Sequence, residues 1–399
     1  LFDTTNYYTF MGSQTLSEIA CRGKNKEGRH NLRQIGLGLL VARDTRLPLF
    51  YSIYPGNIHD SKHFESIMEE MFRVVCDLNN TKERLTIVID KGMNSEGNYT
   101  WIDEHSRVHF ITTYSTYFAQ ELAATPLDRF EIADTARNRK LIDEERREEC
   151  QLAYRTKKEY WGKERTVIIT YNPRTARKKS YTFESKLDTI RQELLAMRTK
   201  VKEGAVHWKK AEDVQARYIR LCQRLHMATD LFTLNFETSA NGLNMSFRKN
   251  SYIVKQKKLM FGKNIIITDN TDWATKDIIE ASLDRWQVED RFRLSKNEDL
   301  VGVQPIRHWT DSKIKCHLFT CVAAMAYLRR IELKLKSAGI ERTAENVMDD
   351  MKHLHSILTL PKGARKPTRR LETPSKTQAE VLSAFGYHVN EGGGLQPAT

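Results

Sequence analysis

The stretch LTIVIDKG, residues 85–92, decides how the chain is read. Leu85 to Ile89 are all apolar or β-branched, the pattern of a strand buried on both faces, and such a run has no use for a charge. It nevertheless ends in Asp90, followed by Lys91 and Gly92. Asp90 either caps the next helix or opens a turn, as aspartates at strand ends commonly do, or it is held there for chemistry. The choice depends on whether other carboxylates are delivered to the same place.

Composition sets the limits. The chain has 399 residues, 40% hydrophobic and 29% charged, enough for more than one core. Its 64 Lys and Arg against 51 Asp and Glu leave a net charge of +13, which favours a polyanionic partner, nucleic acid first. The six cysteines form no CxxC pair and no zinc-spaced cluster, and so read as reduced thiols of a cytoplasmic protein. The longest apolar stretch, HLFTCVAAMAYL from His317, is too short to span a bilayer and is expected to be a core helix. No secretory signal opens the chain, which begins at Leu1 directly in a strand and reads as a fragment whose start is missing.

Residues 1–115 read as strand, hairpin, helix, strand, helix, strand. The hairpin is RQIGLGLLVARDTRLPLFYSIYPGN, with its polar turn at Arg43 to Arg46. GLGLL lacks the third glycine and following helix of a dinucleotide loop and is therefore strand. From 116 to 260 long polar helical runs alternate with isolated strand-like pieces, as expected of an inserted α+β domain. Residues 261–340 resume the α/β pattern, and 341–399 form a C-terminal tail with short helices, mobile from about 360.

Asp3 lies in the first strand as Asp90 ends the fourth. Were the two strands neighbours in one sheet, their acids would repel unless a cation sat between them. Ligation by oxygen alone favours Mg²⁺ or Mn²⁺ over zinc. In LDRWQVEDRFRLSK, read as a helix at about 100° per residue, Arg285, Glu289 and Lys296 fall within about 40° of one another. Ile279, Leu283, Trp286 and Leu294 make a neighbouring apolar stripe that would pack on the sheet. A solvated Arg285–Glu289 ion pair is the plain alternative. PGNIHD, with Asp60, is a turn and helix cap, and RHWTDSKIKCH offers His308 and His317, nine residues apart.

Taken in order, FDTTNYY, GRHNLRQIGLGLLVARDTRLPLFYSIYPGNIHDSKHF, IVIDKGMNSEGN and WQVEDRFRLSK with PIRHWTDSKIKCHLFTCVAAM resemble the DDE transposases of bacterial insertion sequences. The resemblance is to the insertion-sequence-four-like group with a large insertion domain, and it covers residues 1 to about 330. It implies an RNase H-like mixed sheet with flanking helices, two divalent ions held by Asp3, Asp90 and Glu289, and metal-dependent cleavage and strand transfer of double-stranded DNA, at transposon ends and target. It also implies a homodimer in the synaptic complex, a nucleoid-associated location, no membrane, and an end-recognition segment before Leu1. On this reading Asp3 bridges the ions while Asp90 and Glu289 complete one site each. Arg285, Lys296, Lys91 and His308 become candidate DNA contacts, Asp60 a possible auxiliary acid. The family's Tyr, Arg, Glu, Lys series is met by Arg285, Glu289 and Lys296, but Ser282 stands at the Tyr position. A catalytically inactive or domesticated DNA-binding descendant, and an RNase H-like nuclease without strand transfer, are the alternatives.

Overall fold

The computed structural model describes every residue except 13, 24–27, 29–30, 80–83, 240–241, 361, 364 and 399. Arg29 and His30 of the GRHN motif thus lie outside the described residues. The chain is α/β and forms two compact units, residues 1–108 with 283–399, and residues 109–282. Among the described residues no helix is long and apolar enough to cross a membrane.

In the first unit, β1 (Phe2–Thr9), β2 (Cys21–Arg22), β3 (Arg33–Val41) and β4 (Pro48–Pro55) make one antiparallel sheet in which β3 is central. The β3–β4 hairpin is the one expected, closed by Ala42 N to Leu47 O at 2.9 Å. Gly36 and Gly38 of β3 have a specific use. A Cβ on Gly36 would stand 2.3 Å from the Tyr54 ring, and one on Gly38 would stand 2.7 Å from Ser52 Oγ and 3.0 Å from the Phe2 ring. The bare backbone lets those side chains lie flat on the sheet. β5 (Leu85–Ile89) packs beside β1 but is not part of that sheet's ladder among the described residues, so the expectation of two acid-bearing strands paired in one sheet is corrected to strands packed side by side. Ile87, Val88 and Ile89 of β5 are buried, as the apolar run requires.

The Asp311–Ser337 helix of this unit contains the apolar stretch from His317. Leu318, Cys321, Val322, Met325 and Leu328 are buried, whereas Phe319 and Tyr327 are exposed, so the helix is amphipathic. The C-terminal segment carries short helices, as expected of residues 341–399. Helices Ala344–Met351 and Lys376–Ala384 bury Val347 and Val381 with Leu335, and the capping box of Ser375 and Gln378 starts the second of them.

The second unit contains β6 (Val108–Tyr114), β7 (Glu131–Ile132), β8 (Leu152–Tyr160), β9 (Lys163–Tyr171), the hairpin β10 (Phe232–Ser239) with β11 (Gly242–Lys249), and β12 (Lys263–Thr268). An antiparallel ladder runs β6-β12-β9-β8-β7. This moves the borders expected at 116 and 260. β6 and β12, read as catalytic-domain strands, pair with or through β9, which came from the segment read as an insertion. The isoleucine run Ile265 to Ile267 is matched residue for residue by Val167 to Ile169, and that shared apolar register outweighs the change in composition on which the borders were drawn. The long polar helices are amphipathic. Pro173–Lys202 and Ala211–Leu225 bury Ile190, Leu194, Val214, Tyr218 and Cys222 against Phe232 and Met245 of the hairpin.

Candidate active site

All the acids of interest belong to the first unit. Asp3 sits in β1 opposite Leu39, between the buried Phe2 and Thr4, whose N–H donates to Asp3 Oδ1 at 2.8 Å. Asp90 follows the buried end of β5 and precedes a short turn, Lys91–Met93, anchored by the buried Met93. Its carbonyl receives the Met93 N–H, but its carboxylate makes no capping bond. Ser95 caps the following helix, Glu96–Glu104, instead. The Asp90 side chain accepts instead from Arg285.

Arg285 Nη1 donates to Asp90 Oδ1 at 2.5 Å, and Nη2 reaches Glu289 Oε1 at 3.4 Å. Burial works against the Arg285 charge, yet Asp90, then Asp3 and Glu289, outweigh it and hold its pKa above the ordinary arginine value. One guanidinium thus feels three carboxylates delivered by β1, by the end of β5 and by the Trp286–Ser295 helix. Side-chain exposure ranks the contacts: Arg285 and Asp90 are 20% and 27% exposed, Glu289 57%, so the Asp90 pair is the firm one.

The helix bearing Glu289 is fixed at both ends. Asp284, just before it, accepts from Arg43 Nε at 2.6 Å. Ser295, its last residue, shares a buried 2.5 Å hydrogen bond with the Tyr7 hydroxyl in β1. Val288 and Phe292 are buried between those ends. The helix expected over LDRWQVEDRFRLSK, residues 283–296, is broken near its start: one helix, Thr275–Leu283, ends there and a second, Trp286–Ser295, follows with Arg285 as its N-cap. The break coincides with residues whose side chains are held elsewhere, Asp284 by Arg43 and Arg285 by Asp90. It also turns the expected stripe: Ile279 is buried, but Leu283 and Trp286 are 50% and 47% exposed, and Gln287, Val288, Arg291 and Ser295 are inside instead.

Sequence reasoning missed the support behind Asp3. Tyr54 on β4 donates to Asp60 Oδ1 at 3.0 Å and stacks on His63 with ring centroids 3.7 Å apart. Burial, then Asp60, pushes the Tyr54 phenol far up, and Asp3 adds to this. His63 meets Ser52 Oγ at 2.7 Å, and burial lowers its pKa to about 4, so it is neutral near pH 7. Asp60 opens the Asp60–Asn79 helix as the turn reading expected and also holds Tyr54. The available signal was the paired glycines of β3, whose empty face has to be filled by a large side chain from the neighbouring strand.

Of the remaining expected contacts, Lys91 is exposed beside Asp90, and Lys296 is exposed at the C-cap of the Glu289 helix, lining a separate cleft. His308 instead lies against His317, ring centroids 5.1 Å apart, and His317 is in turn held by Val303 O at 3.2 Å.

Among the described residues no three His, Cys, Asp or Glu side chains stand in metal-holding geometry. The donor set of Asp3, Asp90 and Glu289 is oxygen only and suits a hard divalent cation. It already gathers one positive charge, that of Arg285, so the site fits a cation chemically, and Arg285 is the group that such a cation has to displace from Asp90. No curated protein matches the chain. Residues 14–328, well over half of it, match the family model described as a transposase DDE domain.

Proposed function

This chain belongs to the transposase DDE domain family, and on that premise we propose that it cuts phosphodiester bonds of double-stranded DNA and joins the freed 3′-hydroxyl to target DNA. Asp3, Asp90 and Glu289 are the proposed catalytic acids and ligands. The observation that supports this reading is the single guanidinium of Arg285 under the charge of all three acids, which come from three separate segments. Two Mg²⁺ or Mn²⁺ ions held there would polarise the attacking oxygen and neutralise the leaving one.

The rest of the work falls to the chain itself. In cleavage, water attacks phosphorus and the 3′-oxygen leaves as a hydroxyl. In strand transfer that hydroxyl gives up its proton and attacks a target phosphorus at the same acid cluster, and the target strand's own 3′-oxygen leaves as a hydroxyl, so one phosphodiester replaces another. Arg285, once released from Asp90, is placed to hold a phosphate oxygen, with Lys91 beside it and Lys296 further along the helix. His308, its ring 5.1 Å from that of His317, stays among the proposed DNA contacts. The packed pair β1 and β5, flanked by the Glu289 helix, supports an RNase H-like core, with the 109–282 unit as the inserted part, of the insertion-sequence-four-like group. A homodimer at paired DNA ends completes the proposal.

A second reading, a DNA-binding descendant without catalysis, draws on the Arg285–Asp90 bond, which occupies the firmest acid. The separating experiment supplies a duplex with a pre-cut 3′-hydroxyl end, a target plasmid and Mg²⁺. Joined product supports transposition, nicking alone leaves a nuclease, and neither product in the presence of DNA binding leaves the inactive descendant.

A further inference from the structure

A cleft of about 740 Å³ in the first unit lies between the Glu289 helix, the Asp311–Ser337 helix, the start of Ala344–Met351 and the tip of the β3–β4 hairpin. Its floor contains Arg291, only 4% exposed. Arg291 Nη2 donates to Asp290 at 2.7 Å, but Nε and Nη1 are buried with no hydrogen-bond partner. Arg342 repeats the pattern: Asp350 takes Nη2, while Nη1 is buried and unpartnered. Arg329, by contrast, donates from Nε to Thr45 O and from Nη1 to Glu332, each at 2.6 Å.

Arg46 completes the cluster from the hairpin tip. Its backbone is left-handed, φ 57°, an unusual conformation for a residue with a side chain, and its guanidinium lies 4.4 Å from the centre of the half-exposed Trp286 ring. Burial lowers its pKa first and Arg329 and Arg291 lower it further, against Asp290 and Glu332, which raise it. Asp290 and Glu332 are already committed to Arg291, Arg293, Arg329 and the Ala344 N–H. Guanidinium donors buried without acceptors, with repelling neighbours, call for an anion with several acceptor oxygens.

We infer that this cleft binds backbone phosphate of a DNA duplex through Arg291, Arg46 and Arg342, as a contact apart from the acid cluster. The inference rests on the reading that the chain acts on DNA. Lys296 and Lys336 also line the cleft, with Glu341 and Glu345 beside them, so cations outnumber carboxylates in its lining. Phosphate contacts of this kind hold the duplex in place without reading its sequence.

The test is a salt titration of a labelled duplex binding to the full chain, wild type and variants Arg291→Met, Arg46→Met and Arg342→Gln. Each lost phosphate contact lowers the slope of log affinity against log salt by about 0.9. The expected result is a fall of about that size in each variant, with inorganic phosphate competing against the wild type more strongly than against Arg291→Met. Should Arg291→Met fail to fold, Arg46→Met on the hairpin tip carries the test. Unchanged slopes in folded variants overturn the inference. So does competition by inorganic phosphate without any slope change, which marks a free-anion site. A wild type that nicks DNA while the variants keep the full slope removes the cleft alone. Reduced slopes in variants of a wild type that never nicks keep the cleft and remove the transposase reading.

Discussion

Replacing Arg285 by Met takes its guanidinium out from among three carboxylates and leaves most of the side-chain volume in place. The consequence can be bounded. Exposed ion pairs contribute roughly 0–1 kcal/mol, and breaking a buried pair costs roughly 3–5 kcal/mol because a charge is left stranded. Arg285 and Asp90 are 20% and 27% exposed and 2.5 Å apart, which puts their pair between those limits at about 2 kcal/mol. The Glu289 contact, longer and on a 57% exposed partner, adds little. For a domain of roughly 150–250 residues, about 2 kcal/mol lowers Tm by about 4–8 °C. The same substitution frees Asp90, so divalent ions no longer compete with a guanidinium. Calorimetry with and without Mg²⁺ should therefore show Arg285→Met destabilised in EDTA and stabilised by Mg²⁺ more than the wild type is. The Arg285 pKa lies above its ordinary value, so on the arginine side the pair's contribution is lost only in strong base. An Arg285→Met protein as stable as wild type in EDTA, or one no more responsive to Mg²⁺, refutes the placement of Arg285 among the acids.

His63 should give acid sensitivity: its folded pKa, about 4, lies below the ordinary histidine value, so the unfolded chain binds the proton first and stability falls as pH drops from about 6.5 towards 4, by roughly 3 kcal/mol, a step that His63→Gln should remove from a Tm-against-pH curve. Gly36→Ala places a methyl 2.3 Å from the Tyr54 ring and should cost roughly 1–3 kcal/mol in urea unfolding; a neutral result would mean the ring is not packed on that glycine. Tyr7→Phe and Ser295→Ala each remove one side of the buried bond between β1 and the Glu289 helix. Each should cost about 1 kcal/mol, and the double variant should cost less than the sum, additivity being the result that denies the bond.

What could be read from the sequence follows from how local each signal is. The strand ending at Asp90, the β3–β4 hairpin and the helix around Leu318 all rest on patterns within one element, and each stands in the structure, although the last, read as a core helix, leaves Phe319 and Tyr327 exposed. The break before Trp286 was not readable, because the partners that hold its residues, Arg43 and Asp90, are distant in the chain. The strand pairing that crosses the expected borders was not readable for the same reason. Composition changes at 116 and 260, whereas the strand pairing of Ile265 to Ile267 with Val167 to Ile169 depends on a register no single segment reveals. Arg285 and Glu289 were correctly placed near one another by helical spacing, but Tyr54 and His63 became visible only once Gly36 and Gly38 were seen to make room for them.

The central claim is that Asp3, Asp90 and Glu289 act as one centre. Single-turnover nicking of a supercoiled plasmid in Mg²⁺ tests it directly, comparing wild type with Asp3→Asn, Asp90→Asn, Glu289→Gln and their double combinations. If the three are one unit, each single variant loses roughly a thousandfold or more, about 4 kcal/mol of barrier, and the doubles lose little beyond the singles. A single variant that nicks at the wild-type rate, or doubles whose losses multiply, contradicts it.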